Sequence, residues 1–257
     1  MRTVGKILGG ILIVLVLCFA GLAYLTMAGQ QPLPDRQEIL PGVVQVKDGF
    51  VGVGVIEAGR GHVVLIDAGN DPGAGVILAE LARRNLSPEA VTAIFLTHGH
   101  PDHRRGVQKF PHAAVYILAA DADLVVGKAN PKGPLPRFLP NGDDHIRITR
   151  TLRDGETVKA GGIEVRVFEI PGHTAGSAAF LVRGALFLGD GAMIDKVGRL
   201  TGPKWIFSDD VAQGTQSLSV LAHRLAGEAA KVKAIVTSHA GALVSGLAPL
   251  LALAAQK

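Results

Sequence analysis

Thr97-His98-Gly99-His100-Pro101-Asp102-His103 follows directly on the apolar run Ala93-Ile94-Phe95-Leu96 and crowds three imidazoles and a carboxylate onto the end of one strand. Four such side chains on a turn containing glycine and proline would repel and desolvate one another in a packed core. They can instead converge on a divalent cation, which takes nitrogen and oxygen donors. Several specified positions at fixed spacing make a stronger pattern than any single histidine. The stretch therefore reads as a metal site at a strand end.

Three isolated donors follow apolar strands in the same manner: His173 in Pro171-Gly172-His173-Thr174-Ala175-Gly176-Ser177, Asp190 in Leu188-Gly189-Asp190-Gly191, and His239 in Thr237-Ser238-His239-Ala240-Gly241. Upstream, Asp67 occupies a comparable place in Leu65-Ile66-Asp67-Ala68-Gly69. Glycine lets the backbone turn sharply off a sheet edge, so several strand ends can feed one concave site. Taken singly, each has a plainer reading as a hydrogen-bonded surface histidine or a turn-capping aspartate; the 97–103 stretch is what gives the set weight. His62, His112, His145 and His223 lie outside these positions and are read as surface or helix-face residues.

The order Asp67, His-x-His-x-Asp-His at 98–103, His173, Asp190 and His239 resembles that of the metallo-β-lactamase fold superfamily, from about Val43 to His239. The resemblance implies an α/β protein built as a four-layer αβ/βα sandwich, with a two-metal site at one edge. It implies that His98, His100 and His173 hold one metal, that Asp102, His103 and His239 hold the second, and that Asp190 bridges them. Asp67 would steady the His-rich turn without touching metal. The implied cofactor is two zinc ions per chain, with iron or manganese as substitutes. Two such metals about 3.5 to 4 Å apart can share a water and lower its pKa toward ~7. The implied nucleophile is a metal-bound hydroxide, with Asp102 and Asp190 as catalytic carboxylates and Asp102 placed to accept or relay a proton.

The remaining sequence predicts a mixed order of short strands and helices. Strands are expected at Val43–Val46, Phe50–Ile56 and His62–Asp67, a helix at about Gly75–Arg84, then a capped Ser87-Pro88-Glu89 start and the strand Ala93–Leu96. Further on, Val115–Leu118 reads as strand and Ala119–Val126 as helix. Thr157–Val158 and Ile163–Ile170 read as strands, and Ser177–Val182 with Ala185–Leu188 as a hairpin. Val211–Leu225 reads as helix, Ala234–Thr237 as strand and Leu243–Ala255 as a final helix. Meander and strand-helix-strand segments lie side by side in both halves, which fits two sheets with helices outside better than a barrel. Asn130–His145 and Ala192–Asp210 resist assignment, and loops this long suggest walls or lids over the metal site.

The chain has 257 residues, 48% of them hydrophobic, enough for one catalytic domain plus an appendage. The appendage is Ile7–Ala28, 22 residues without a charge, long enough at about 1.5 Å per residue to cross the roughly 30 Å hydrocarbon layer. The expected domains are a membrane anchor at 1–29, a Pro-rich linker at 30–42 and a hydrolase body at 43–257. A cleaved secretory signal behind Arg2 and Lys6 is the competing reading, but its apolar region is usually about 7 to 15 residues. Positive-inside logic then sends the body across the membrane, to the periplasmic or extracellular side, anchored there or secreted after cleavage. The only cysteine, Cys18, lies inside this segment and leaves the body no thiol. The formal net charge of +4 falls to +2 without Arg2 and Lys6, and no long basic run is present, so a nucleic-acid groove is not expected.

Departures from the superfamily pattern narrow the expectation to a hydrolase of an ester, lactone, thioester or amide bond in a small molecule. Class B β-lactamases generally carry Cys or Ser where Asp190 stands. Thioesterases of the glyoxalase II type carry a helical extension, whereas 18 residues follow His239. An iron-dependent sulfur oxidoreductase of dioxygenase type, or a β-lactamase, is the alternative; a metal-holding binding protein without turnover is a third.

Overall fold

The computed structural model describes residues 2–59 and 61–256, apart from the side chains of residues 2–5, 7, 8, 23 and 25–27. The chain divides into two units, the second beginning at Gln31. The first unit carries one helix, α1 (Arg2–Ala28), whose apolar side chains from Ile11 to Leu17 are exposed. The expected membrane-crossing helix over Ile7–Ala28 is not supported. Part of that segment lies outside the described side chains, and among the described residues no helix is long and apolar enough to cross a membrane.

Among the described residues the second unit holds two large sheets and a separate two-stranded one. In the first, β1 (Arg36–Leu40), β2 (Val43–Asp48), β3 (Val51–Glu57) and β4 (Val63–Ile66) form an antiparallel meander. β5 (Val91–Phe95), β6 (Ala114–Leu118) and β7 (Arg150–Leu152) extend it in parallel. The helix α2 (Gly75–Arg83) makes the crossover from β4 to β5, and the short helices α3 (Pro101–Arg104) and α4 (Ala122–Val125) follow β5 and β6. The second sheet contains β8 (Thr157–Ala160), β9 (Ile163–Glu169), β10 (Ala178–Val182) and β11 (Ala185–Phe187), each antiparallel to the next. After a small hairpin of β12 (Met193–Ile194) and β13 (Leu200–Thr201), helix α5 (Val211–Ala226) leads to β14 (Ala234–Thr237), parallel to β11. β15 (Gly241–Leu243) and helix α6 (Ala248–Ala254) complete the chain, and the sheet order is β15-β14-β11-β10-β9-β8.

Side chains alternate across a strand, which is how these runs build four layers. Val64, Ile66, Ala93 and Phe95 point inward and share one core with Val165, Val167, Phe180 and Phe187 of the other sheet. Their neighbours Val63, Leu65, Ile94 and Leu96 point outward onto Ile77 and Leu81 of α2. On the far side Ala179, Leu181 and Leu186 meet Leu218, Leu221 and Leu225 of α5 and Leu250 of α6. Strands buried on both faces read as unbroken apolar runs rather than alternating ones, as Ala93–Leu96 does.

Three expectations need correction at element level. Arg36–Leu40, read as part of an extended tether, is an edge strand. Its Arg36 is held by the buried Glu80, which also takes Arg84, at 2.7 and 2.8 Å, a pairing across 44 residues that no local pattern announces. The last helix begins at Ala248, because Gly241–Leu243 turns back as an edge strand on β14. Ser87 precedes a short 3-10 turn but makes no side-chain cap.

Candidate metal centre

β2, β4 and β5 run in one direction in the first sheet, as β9, β11 and β14 do in the second, and the cluster of donors at their ends puts both sets of carboxyl ends at one edge. The chain leaves β4 into Asp67, β5 into the 97–103 turn, β9 into His173, β11 into Asp190 and β14 into His239. The carboxyl ends of strands are where an α/β sandwich opens a crevice. Gly99 sits with its Cα so near α4 that an added Cβ would lie 2.8 Å from Leu124. At Gly172 (φ +143°) a Cβ would lie 2.2 Å from the Gly214 backbone of α5, so only glycine lets the His173 turn approach that helix.

Asp67, in the left-handed region at φ +62°, anchors the His-rich turn. Its carboxylate accepts from the Thr97 N–H (2.7 Å), the Thr97 hydroxyl (2.9 Å) and His103 Nδ1 (2.8 Å). These partners fix the histidine tautomers. Thr97 spends its proton on Asp67, so His98 Nδ1 at 3.1 Å must donate to the Thr97 oxygen. Ser208 donates to Lys204 O at 2.7 Å, so His173 Nδ1 at 3.1 Å donates to Ser208. His239 Nδ1 donates to Phe50 O at 2.7 Å. In all four rings the Nε2 lone pair is left facing the site, as oriented metal-binding imidazoles require.

His98 Nε2, His100 Nδ1 and His173 Nε2 form a triangle with edges of 3.0, 3.1 and 3.2 Å. Three ring nitrogens cannot hydrogen-bond around so tight a triangle, since an N–H points at one acceptor only. Nitrogens bound at about 2.0–2.1 Å to a tetrahedral ion stand roughly 3.3 Å apart, close to what is seen. A second set joins Asp102, His103 and His239, with His103 Nε2 and His239 Nε2 at 3.4 and 3.6 Å from Asp102 Oδ2. Asp190 touches both sets: its Oδ2 lies 3.0 Å from His239 and 3.6 Å from His173, and its Oδ1 3.5 Å from His103. His103 Nε2 and Asp190 Oδ1 are buried without a hydrogen-bond partner. Orphaned buried donors of this kind are explained by a cation between them, and the all-N/O set suits a divalent metal.

Electrostatics separate the two sets. Burial holds His98 well below its ordinary range and takes His100 and His173 down to about 3 and about 4, with neighbouring imidazoles assisting. This trio is neutral and open to a metal. Burial also opposes the charge on His103 and His239, but Asp102, Asp67 and Asp190 raise His103, and Asp190 and Asp102 raise His239. Asp102 and Asp190 are desolvated too, yet His103 and His239 hold them low.

All eight residues singled out in the sequence thus lie in one cluster. Sequence reasoning missed their supports. Asp121, fully buried after β6, accepts from Gly99 N–H (2.8 Å), Thr174 Oγ1 (2.8 Å) and Gly176 N–H (2.7 Å), joining the two histidine turns. Two acids, Asp121 and Asp123, interrupt the apolar run 115–126, and nothing local in the sequence tells them apart. Arg104 and Ser208 left none, and Phe50, stacked on His239 with ring centroids 5.8 Å apart, looked like an ordinary strand residue. The loops 130–145 and 192–210 meet beside His173. Leu135 N–H bonds Ile206 O at 2.8 Å, Lys132 N–H bonds Asp209 Oδ1 at 3.1 Å, and Asp209 N–H bonds His173 O at 3.0 Å.

The family model described as Metallo-beta-lactamase superfamily matches residues 46–239. Two curated relatives named hydroxyacylglutathione hydrolase are 32% identical over 168 residues (Citrobacter koseri; 64% of this chain, 53% of that protein) and 34% over 165 (Aeromonas salmonicida; 63% and 52%). The chain spans about half the length of these relatives. Among solved structures, Rm3 metallo-beta-lactamase superposes with a TM-score of 0.66 at 18% identity, covering 89% of this chain and 94% of that one. BJP-1, a subclass B3 metallo-beta-lactamase of Bradyrhizobium japonicum, does so at 0.63 and 17%, covering 90% and 93%. At these identities the likeness shows the four-layer fold.

Proposed function

Because the chain belongs to the metallo-beta-lactamase superfamily, we propose that it is a dinuclear zinc hydrolase acting on an ester, lactone, thioester or amide of a small molecule, with a thioester as the first candidate. The observation that carries this reading is Asp190, a buried carboxylate whose Oδ2 lies 3.0 Å from His239 of one donor set and 3.6 Å from His173 of the other. The thioester preference rests on the relatives named hydroxyacylglutathione hydrolase.

His98, His100 and His173 would hold one ion and Asp102, His103 and His239 the other, with Asp190 between them. Two bound divalent ions supply Lewis acidity and a water acidified toward a pKa of ~7. Asp102 is the most open of the donors, its side chain 22% exposed against 7% for Asp190, so it faces the incoming substrate. Asp102 would thus be placed to accept or relay the proton of an attacking water. Phe50, itself half exposed, stacks on the His239 ring at the rim of the site.

Elemental analysis of the full chain, paired with a panel of an acylglutathione thioester, a lactone, an aryl ester and nitrocefin, tests the reading. About two zinc per chain with thioester hydrolysis is expected. One iron with oxygen uptake would replace it by a sulfur oxidoreductase, turnover of nitrocefin alone by a β-lactamase, and two zinc with no turnover by a binding protein. The same proposal includes export of the body, supported by the charge-free run Ile7–Ala28 behind Arg2 and Lys6. Fractionation of cells making the full chain tests it, and a body retained in the cytosol overturns it.

A further inference from the structure

Gly99, the one residue between the ligand candidates His98 and His100, is gripped on both of its backbone polar groups by buried charged side chains. Its N–H donates to Asp121 Oδ2 at 2.8 Å, and its C=O accepts from Arg104 Nε at 3.1 Å. Asp121 is 2% exposed and Arg104 is fully buried. Burying an ion is unfavourable unless it is hydrogen-bonded, and every polar side-chain atom of both residues has a partner. The other oxygen of Asp121 takes Gly176 N–H at 2.7 Å, and Thr174 Oγ1 joins Gly99 on the first, so the same carboxylate fixes the turn that carries His173. The rest of the Arg104 guanidinium reaches Asn141 Oδ1 (2.8 Å), Gly142 O (3.0 Å) and the Asp144 carboxylate in the 130–145 loop.

We propose that Asp121 and Arg104 are positioning residues that clamp the Gly99 backbone and thereby set the spacing of His98, His100 and His173 for one metal ion. Neither touches the ligating atoms. Each acts on the backbone that carries them, Asp121 from between the two histidine turns and Arg104 from the end of α3, braced against the 130–145 loop. Rotating the Gly99 backbone would swing His98 and His100 apart and open the triangle that spans 3.0 to 3.2 Å. The inference rests on the metal-site reading above.

The test isolates that ion. In the full chain carrying His239→Ala, which removes a donor only from the other set, the apo protein is titrated with cobalt(II) and its visible absorption recorded. Asp121→Asn and Arg104→Lys are then added singly. Asparagine places an NH2 against an N–H, and lysine keeps the charge but loses the planar fork. Cobalt affinity is expected to fall about 10–100-fold, the range for residues that orient ligands, with altered absorption bands. Apo melting and far-ultraviolet circular dichroism show that the fold persists; Asp121→Glu and Arg104→Gln stand in for any variant that does not fold. Affinity and spectrum unchanged in folded variants overturn the clamp while leaving the metal site standing. No cobalt bound even by His239→Ala alone, and none by the unmodified chain, overturns both.

Discussion

Replacing Asp67 by alanine should damage the protein in two separable ways. The carboxylate takes three buried hydrogen bonds, from Thr97 N–H, Thr97 Oγ1 and His103 Nδ1, at 2.7, 2.9 and 2.8 Å. Removing it leaves donors that no water can readily reach, at about 1–3 kcal/mol each before relaxation. Allowing for partial relaxation, the loss is about 3–6 kcal/mol, a large part of the ~5–15 kcal/mol that holds a domain. At roughly 2–4 °C per kcal/mol for a domain of this size, the apo melting temperature should fall by about 10–20 °C. Independently, His103 loses the acceptor that fixes its tautomer, so affinity for the ion beside it should drop about 10–100-fold. Asp67→Asn separates backbone from side chain: asparagine tolerates the φ of +62° and keeps one acceptor oxygen, so its effect should be smaller. Thermal unfolding of apo and zinc-loaded protein gives the first quantity and chelator competition the second. An alanine variant that melts within 2 °C of the parent and retains both ions would refute the reasoning.

Ser208→Ala removes the acceptor of His173 Nδ1 and should weaken one of two zinc ions by about tenfold, read by chelator competition; an unchanged affinity would show that Ser208 does not orient the ring. In the apo protein His100 and His173 are held at about 3 and about 4 against ~6.5 unfolded, so the unfolded chain takes up protons on them first. Their contribution is complete above pH ~6.5 and is lost as pH falls through the folded values, while the raised His103 and His239 work in the opposite sense; His100→Ala should therefore make the apo melting temperature less sensitive to acid from pH 7 to 4, and an unchanged pH dependence would contradict this. Glu80→Ala unpairs Arg36 and Arg84 and should release the edge strand β1 at about 1–3 kcal/mol. Faster hydrogen exchange confined to 36–40 is the expected signature, and unchanged exchange there would sink the claim.

The sequence by itself determined the strands that lead into the site and the donors at their ends, but not the edge strands β1, β7 and β15. Ala93–Leu96 could only be a strand buried on both faces, and His98, His100, Asp102 and His103 could hardly share a turn without a common purpose. The strand ends at Asp67, Asp190 and His239 were legible for the same local reason, an apolar run stopped by glycine and a lone donor. What holds the donors was not legible, because those bonds join residues far apart in the chain and carry no period. Asp121 reaches Gly176 across 55 residues, Arg104 reaches Asp144 across 40, and Glu80 fixes a strand 44 residues away inside what read as a tether. Tertiary structure alone decided these, since a buried charge is tolerated only where distant segments bring it hydrogen-bond partners.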